Sequence, residues 1–600
     1  MISPAKIHLL LLFLWVSQSF ADSPADWQTD YEKSNFLETP RYAETIGYCQ
    51  RLDAASPWLK YTSFGKSPQG RDLPLVIVDK NGNFTPEAVK KSGNVIALIQ
   101  SGIHSGEIDG KDASLMLMRE LVITKKRSHL LDGVTVLFIP IFNVDGHEMM
   151  SKFNRINQNG PAEMGFRATA QFLNLNRDFL KADAPEMQAW LRLFNDWLPD
   201  FLVDNHVTDG ADHQYVLTYG SDTHENVAEP LRRWMSDAME PFLNQKMAAD
   251  GFHVMPYFSM KKRPDIRNGI IVNEYFGPRY STGYGGVQNR VFYLVETHAL
   301  KDYKTRVTGN YHLLIHMLEL LNREKETLKR VNRESDDLTA TQLAGAYLPL
   351  NFEQDFSDTT WLDFLGIDYD VGHSDISNGP WVKYKNQPVT IKMAAFAKSV
   401  AKDSVKIPYA YLIPPQWKYQ IETLKAHGVE VRYLNTKQSL TVDSYQLNNP
   451  RWRSQPFEGH LMLNVDVQPL TEARIFPAGS AVILMNQRTN RLVTALLEPN
   501  APDSFIRWGL WNTIFERKEY GEDYVLEEKA RQMLKENPGL RDEFEQALAA
   551  DSSLAANRWA RLYFFFTRTP YWEKHIGSYP VGKLMKPVAL KMSEQWDQKK

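Results

Sequence analysis

A single cysteine, Cys49, stands in 600 residues. No intramolecular disulfide can form, so packing must hold the fold, and the thiol is expected to be buried and inert. An excess of charge is missing as well: 69 basic side chains face 72 acidic ones, for a net charge of −3. That balance, with no basic stripe to break it, excludes the electrostatic footprint of a nucleic-acid binder. Past the N-terminus no apolar run approaches membrane-spanning length. The one early apolar stretch, Ile7 to Val16, follows Lys6 and precedes "SQSFAD", the pattern of a secretory signal peptide cleaved after Ala21. Residues 1–21 are therefore expected to be removed, leaving an exported chain, periplasmic or extracellular, that does not insert in a membrane. The helical zinc motif H-E-x-x-H is absent too, because His147-Glu148 and His224-Glu225 each lack the second histidine.

What is present is a chain too long for one core, whose first half alternates strand-like with helix-like segments. Continuous apolar runs lie at Leu73 to Asp79, Asn94 to Gln100, Val134 to Phe142, Asp200 to Asn205 and Arg290 to Glu296. Runs without polar alternation mark strands buried on both faces. Helical patterns such as "GKDASLMLMRELV" and "APEMQAWLRLFNDWL" separate them. The alternation predicts an α/β fold: a mixed, largely parallel sheet with helices on both faces.

Polar residues sit where those strands end. In "LIQSGIHSGEIDG", His104 and Glu107 follow the second run; His206 follows the fourth, and Glu296 closes the fifth. Open α/β sheets bind ligands beyond the carboxyl ends of their strands, so these residues are expected to share one crevice. Two histidines and a carboxylate suffice as protein ligands for a catalytic Zn²⁺, and a carboxylate outside that set is free to take a proton from water. The expected cofactor is one Zn²⁺ per chain.

These residues belong to a longer ordered series: "SPQGRDLPLVIV", "GIHSGE", "FNVDG", "FRAT", "LNLNRDF", "NHVTDGADHQYVLTYG" and "LVET". From roughly Trp58 to Tyr303 the series resembles the zinc carboxypeptidases of the carboxypeptidase A and B type. The resemblance implies that His104, Glu107 and His206 hold zinc, and that Glu296 is the general base and then the acid for the leaving amine. It implies an oxyanion role for Arg167, with Arg155 as the alternative because Arg167 lies close to Asn176 for the family. Asn176 and Arg177 match the pair that binds a substrate's terminal carboxylate, for which a guanidinium fork is suited. Tyr275, Tyr280 and Tyr284 are candidates for the tyrosine that closes over substrate, and Tyr284 is preferred. Asn174 stands where relatives often have an aspartate that orients a zinc histidine; an amide accepts the same N–H bond without adding charge. The pocket that reads the substrate side chain is expected within Asn273 to Arg290, where an inward Arg279 would favour acidic residues.

The expected function is that of a secreted zinc metallocarboxypeptidase acting on peptides with a free C-terminal carboxylate. The alternatives are hydrolysis of another carboxylate-adjacent amide (an acyl-amino acid, cell-wall or γ-glutamyl peptide), and a non-catalytic peptide-binding protein on the same scaffold. The catalytic domain is assigned to residues 22–331, a polar linker to 332–345 and an α/β accessory domain to 346–600. In the last, Tyr409 to Leu434 reads as strand, helix and strand, a small parallel unit. His312 and His316 fall at i and i+4 of a helical stretch with no carboxylate partner evident in the sequence, so helix packing is their expected role.

Overall fold

The computed structural model describes residues 27–208 and 210–594, so the expected signal peptide lies outside the described residues. Eight strands form the central sheet: β1 (Leu59–Lys66), β2 (Asp72–Val78), β3 (Val95–Ser101), β4 (Val134–Ile139), β5 (Phe201–Thr208), β6 (Leu217–Gly220) and β7 (Val254–Pro256), then, beyond β8 (Phe258–Met260) and β9 (Ile270–Val272) of a neighbouring sheet, β10 (Val291–His298). Their order is β1-β2-β4-β3-β5-β10-β6-β7. The centre, β4-β3-β5-β10, is parallel, and antiparallel neighbours flank it, β2 beside β4 and β6 beside β10.

The apolar runs of the sequence become β2, β3, β4, β5 and β10, and β3 shows why. Val95, Ala97 and Ile99 face one core while Ile96 and Leu98 face another. A strand with two dry faces has no place for a polar side chain. Helices Tyr42–Ala55, Asp109–Val122 and Tyr303–Arg323 close the first core. Cys49 is fully buried within it, and burial pushes its thiol up to about 12. Helix Pro185–Trp197 covers the second core, and the C-terminal half completes the cover. Ile407, Tyr411, Ile413, Leu424, Ile483, Leu492 and Trp511 share one apolar cluster with Trp190, Leu202 and Phe292.

One expectation is corrected here and a second refined. Residues 332–345 are not a linker, because Lys325–Gln342 is one helix with Leu328, Val331, Asn332, Ser335 and Thr339 on its buried side. The polar members of that stripe find partners: Asn332 Nδ2 donates to the Asp200 carbonyl and Thr339 Oγ1 to Asn289 Oδ1, each at 3.1 Å. The 409–434 unit forms a strand, helix and strand (Ala410–Ile413, Lys418–Ala426, Arg432–Leu434) whose two strands run parallel to one another as expected, but they do not pair directly: Ala481–Leu484 lies between them, antiparallel to both. Long hairpins make up much of the remainder. Thr360–Ser374 and Gly379–Phe396 form one whose sheet continues into β9 and β8, and Gln438–Trp452 and Leu463–Phe476 form another in a seven-stranded sheet. Among the described residues no helix is long and apolar enough to cross a membrane.

Candidate active site and metal centre

Beyond β3 the chain turns through Gly102, whose φ of +69° is a left-handed conformation that suits glycine. His104 and Glu107 follow in a turn closed by a Glu107 N–H to His104 carbonyl bond of 2.8 Å, just before helix Asp109–Val122. Gly106 lies pressed between them and Arg155: a Cβ there would stand 2.3 Å from Arg155 Cδ. On β5, Asp204 and His206 are two residues apart and so project from one face. β10 runs parallel to β5 in a register that sets Glu296 beside His206. Neighbouring strand ends thus deliver all of these groups to one place.

His104, Glu107 and His206 are buried, and the ligand atoms they offer lie within 4.8 Å of one another. Both histidines turn Nδ1 inward. His206 Nδ1 is 3.2 Å from His104 Nδ1 and 2.9 Å from Glu107 Oε2, and His104 Nδ1 is 3.1 Å from Glu107 Oε1. Both outward nitrogens are occupied: His206 Nε2 meets Asp204 Oδ2 and His104 Nε2 meets Asn174 Oδ1, each at 2.9 Å. Such an outer acceptor holds the proton on one ring nitrogen and leaves the other for a metal. Asp204 is absent from the sequence reading, although its place two residues before His206 in a strand is a usable signal.

The electrostatics divide these groups. Burial opposes charge on His206, but Asp204 outweighs it and holds the imidazole well above its usual range. His104, backed by a neutral amide, is drawn down to about 4 by burial. Burial also opposes charge on Glu107, yet His104 and Arg155 overcome it and keep the carboxyl well below the usual range. Glu296 moves the other way, up to about 8, through burial and then repulsion from Glu107 and Asp204. Carboxyls pushed apart in this way mark sites built for cation binding and proton transfer.

His104, Glu107 and Glu296 line a cavity of about 730 Å³ together with Arg155, Arg167, Asn176, Arg177 and Tyr280. Arg155 and Arg167 approach the same Glu107 oxygen, at 2.8 and 3.1 Å, and Arg155 is the more buried. The Arg177 guanidinium lies over the Tyr280 ring at 4.2 Å and donates to the Asn176 carbonyl at 2.7 Å. Tyr284, preferred on sequence, is a correction: it does not line the cavity. It is fully buried in helix Ser281–Val287 against Phe179 and Trp190, and its hydroxyl pairs with His427 Nδ1 at 2.9 Å. Tyr275 packs on His224 and Phe352, so of the three candidates only Tyr280 lines the cavity. The segment "STGYGGV" looks like a loop because of its glycines, yet they allow a helix to press on its neighbours: a Cβ at Gly285 would stand 2.6 Å from the Phe292 ring.

Residues from the C-terminal half reach this region. Glu458 Oε2 accepts the Asn174 N–H at 2.8 Å, directly behind the amide that holds His104. Asp503 pairs with Arg279, with Nε to Oδ1 at 2.5 Å, and the guanidinium lies 5.1 Å from the Trp508 ring centre. Arg279 is thus neutralised. No motif in the sequence points to Glu458 or Asp503.

Residues 45–239 match the family model described as zinc carboxypeptidase. Over those residues the chain is similar to the zinc carboxypeptidases. Among curated relatives, carboxypeptidase 2 of Trichophyton rubrum is 21% identical over 497 residues, which cover 78% of this chain and 84% of that protein. The probable carboxypeptidase 2 of Arthroderma benhamiae is 21% identical over 476 residues, covering 77% and 85%. Among solved structures, carboxypeptidase A of Helicoverpa armigera has a TM-score of 0.36 and 15% identity, over 49% of this chain and 74% of that one. A metallo-carboxypeptidase from Pseudomonas aeruginosa, solved with (2-guanidinoethylmercapto)succinic acid, has a TM-score of 0.35 and 15% identity, over 48% and 68%. The donor set of this chain suits the metal that the family model names. Two imidazole nitrogens and a carboxylate converge, buried and oriented from behind.

Proposed function

We propose that this chain is a zinc carboxypeptidase that is exported, holds one Zn²⁺ on His104, Glu107 and His206, and removes the C-terminal residue of peptides. The observation that carries the reading is a single cavity in which two ligands of that set, Glu296 and the Asn176–Arg177 pair all appear. Zinc bound there would lower the pKa of water and polarise a carbonyl. The remaining steps belong to the protein. Arg177 and Asn176 take the substrate's terminal carboxylate, which sets the last peptide bond against the ligand set. Glu296 accepts a proton from the attacking water and returns it to the leaving amine; positive charge at the ligand set favours the carboxylate form this needs. Arg155 and Arg167 supply N–H donors for the oxyanion, and Tyr280, stacked on Arg177, takes the role first given to Tyr284. At the cavity's rim the apolar side chains of Phe153 and Ile156 are 83% and 98% exposed. That surface favours an extended peptide over a small acyl-amino acid.

The mature protein, given a mixed peptide library, should release free C-terminal amino acids. A chelator should stop the release and Zn²⁺ restore it, while Glu296→Gln keeps its metal and lowers kcat by roughly 10²- to 10⁴-fold. Internal fragments as the main products, or full release by Glu296→Gln, would sink the reading.

A further inference from the structure

His312 and His316 stand one turn apart on helix Tyr303–Arg323, and their ring nitrogens meet at one atom. Asp250 Oδ2 lies 2.6 Å from His312 Nδ1 and 2.7 Å from His316 Nε2. The carboxylate that the sequence does not reveal comes from the residue that ends helix Glu240–Ala249, which packs against this one. All three ligand atoms lie within 4.8 Å of one another. Behind them, His316 Nδ1 meets Glu319 Oε2 at 3.0 Å, and Lys246 holds Glu319 at 3.0 Å. A carboxylate behind a histidine is the support that metal-binding imidazoles receive elsewhere, because it fixes the tautomer and raises ligand basicity.

The buried set shows the same features: imidazole nitrogens gathered on a carboxylate at 2.9–3.1 Å, with acceptors behind the rings. The outer cluster differs in exposure. The side chains of His312 and Asp250 are 31% and 30% exposed, against 9% for His316, so water has access to complete a coordination shell. Metal–ligand bonds of about 2 Å require the hydrogen-bonded contacts to open by roughly 0.6 Å, within reach of a half-exposed aspartate.

We propose that Asp250, His312 and His316 form a second metal site, of the type that imidazole-rich sets offer to Zn²⁺ and its neighbours, tying helix Glu240–Ala249 to helix Tyr303–Arg323. None of its ligands lines the catalytic cavity, so it is separate from the proposed catalysis. The test is titration of the metal-free, full-length mature protein with Zn²⁺ against a chromophoric chelator. Wild type should bind one equivalent more than either Asp250→Asn or His312→Ala, and that equivalent should raise Tm. Both variants should keep their full release of C-terminal residues, which would not hold if they had merely disturbed the fold. Zn²⁺ uptake that is equal in wild type and both variants overturns the proposal.

Discussion

The two halves of the chain contribute to the site in opposite ways. Residues 27–342 carry every group proposed to touch substrate or metal, and the catalytic set His104, Glu107, His206 and Glu296 lies at or near the ends of strands with two dry faces. Residues 343–594 carry none of them, and their hairpins are largely exposed: Trp361 and Ile376 are 66% and 94% accessible. Yet the second half closes one core of the first and places Glu458 behind Asn174. The contrast separates chemistry, which needs strand ends that cannot move, from enclosure, which any well-packed surface can provide.

The most severe way to break this comparison is to remove the second half. A chain ending at Gln342 leaves Trp190, Leu202 and Phe292 without the seven C-terminal partners named above. Each large apolar side chain loses about 1.5–3 kcal/mol on exposure, and a folded domain holds only about 5–15 kcal/mol in reserve. The truncated protein should therefore show no cooperative unfolding transition by circular dichroism. A soluble fragment that melts sharply would mean the halves are independent domains, as the sequence suggests.

The tyrosines give a finer test. Tyr284→Phe removes the hydroxyl that meets His427 and should cost about 1 kcal/mol of stability while leaving KM unchanged. Tyr280→Ala removes the ring beneath Arg177, which should raise KM roughly three- to tenfold with little change in Tm. If the two effects are exchanged, the cavity has been assigned to the wrong tyrosine.

How much the sequence reveals follows from what each element buries. The strands that end at the ligands are legible because two dry faces leave continuous apolar runs, and their order beyond the strand ends places His104, His206 and Glu296 together. β1 escapes notice because its burial is mixed along its length, without a clean apolar face. The part of helix Lys325–Gln342 beyond Val331 escapes because Asn332, Ser335 and Thr339 supply its inward stripe there, so the apolar period stops. Tyr280 and Tyr284 are indistinguishable until glycine contacts show that the second lies inside a pressed helix. Asp250 and Glu458 lie too far along the chain from their partners for any local pattern to join them.

The smallest expected effect lies where the halves touch the metal ligands. Glu458 is a non-glycine residue with φ of +49°, a left-handed conformation that costs about 1–2 kcal/mol, and it still directs its carboxylate to the Asn174 N–H. That strain is maintained by the surrounding hairpin, so its relief and the loss of the contact can be separated. Glu458→Gly should relax the backbone and raise Tm slightly, while Asn174, freed at its N–H, orients His104 less firmly and Zn²⁺ affinity falls by about two- to fivefold. Glu458→Gln keeps an acceptor in place and should lose less affinity than the glycine variant without gaining stability. Opposite movement of Tm and affinity in Glu458→Gly would show that the C-terminal half accepts local strain to steady a metal ligand. If Tm falls together with affinity, the contact is simply part of the packing between the halves, and enclosure alone accounts for the second half.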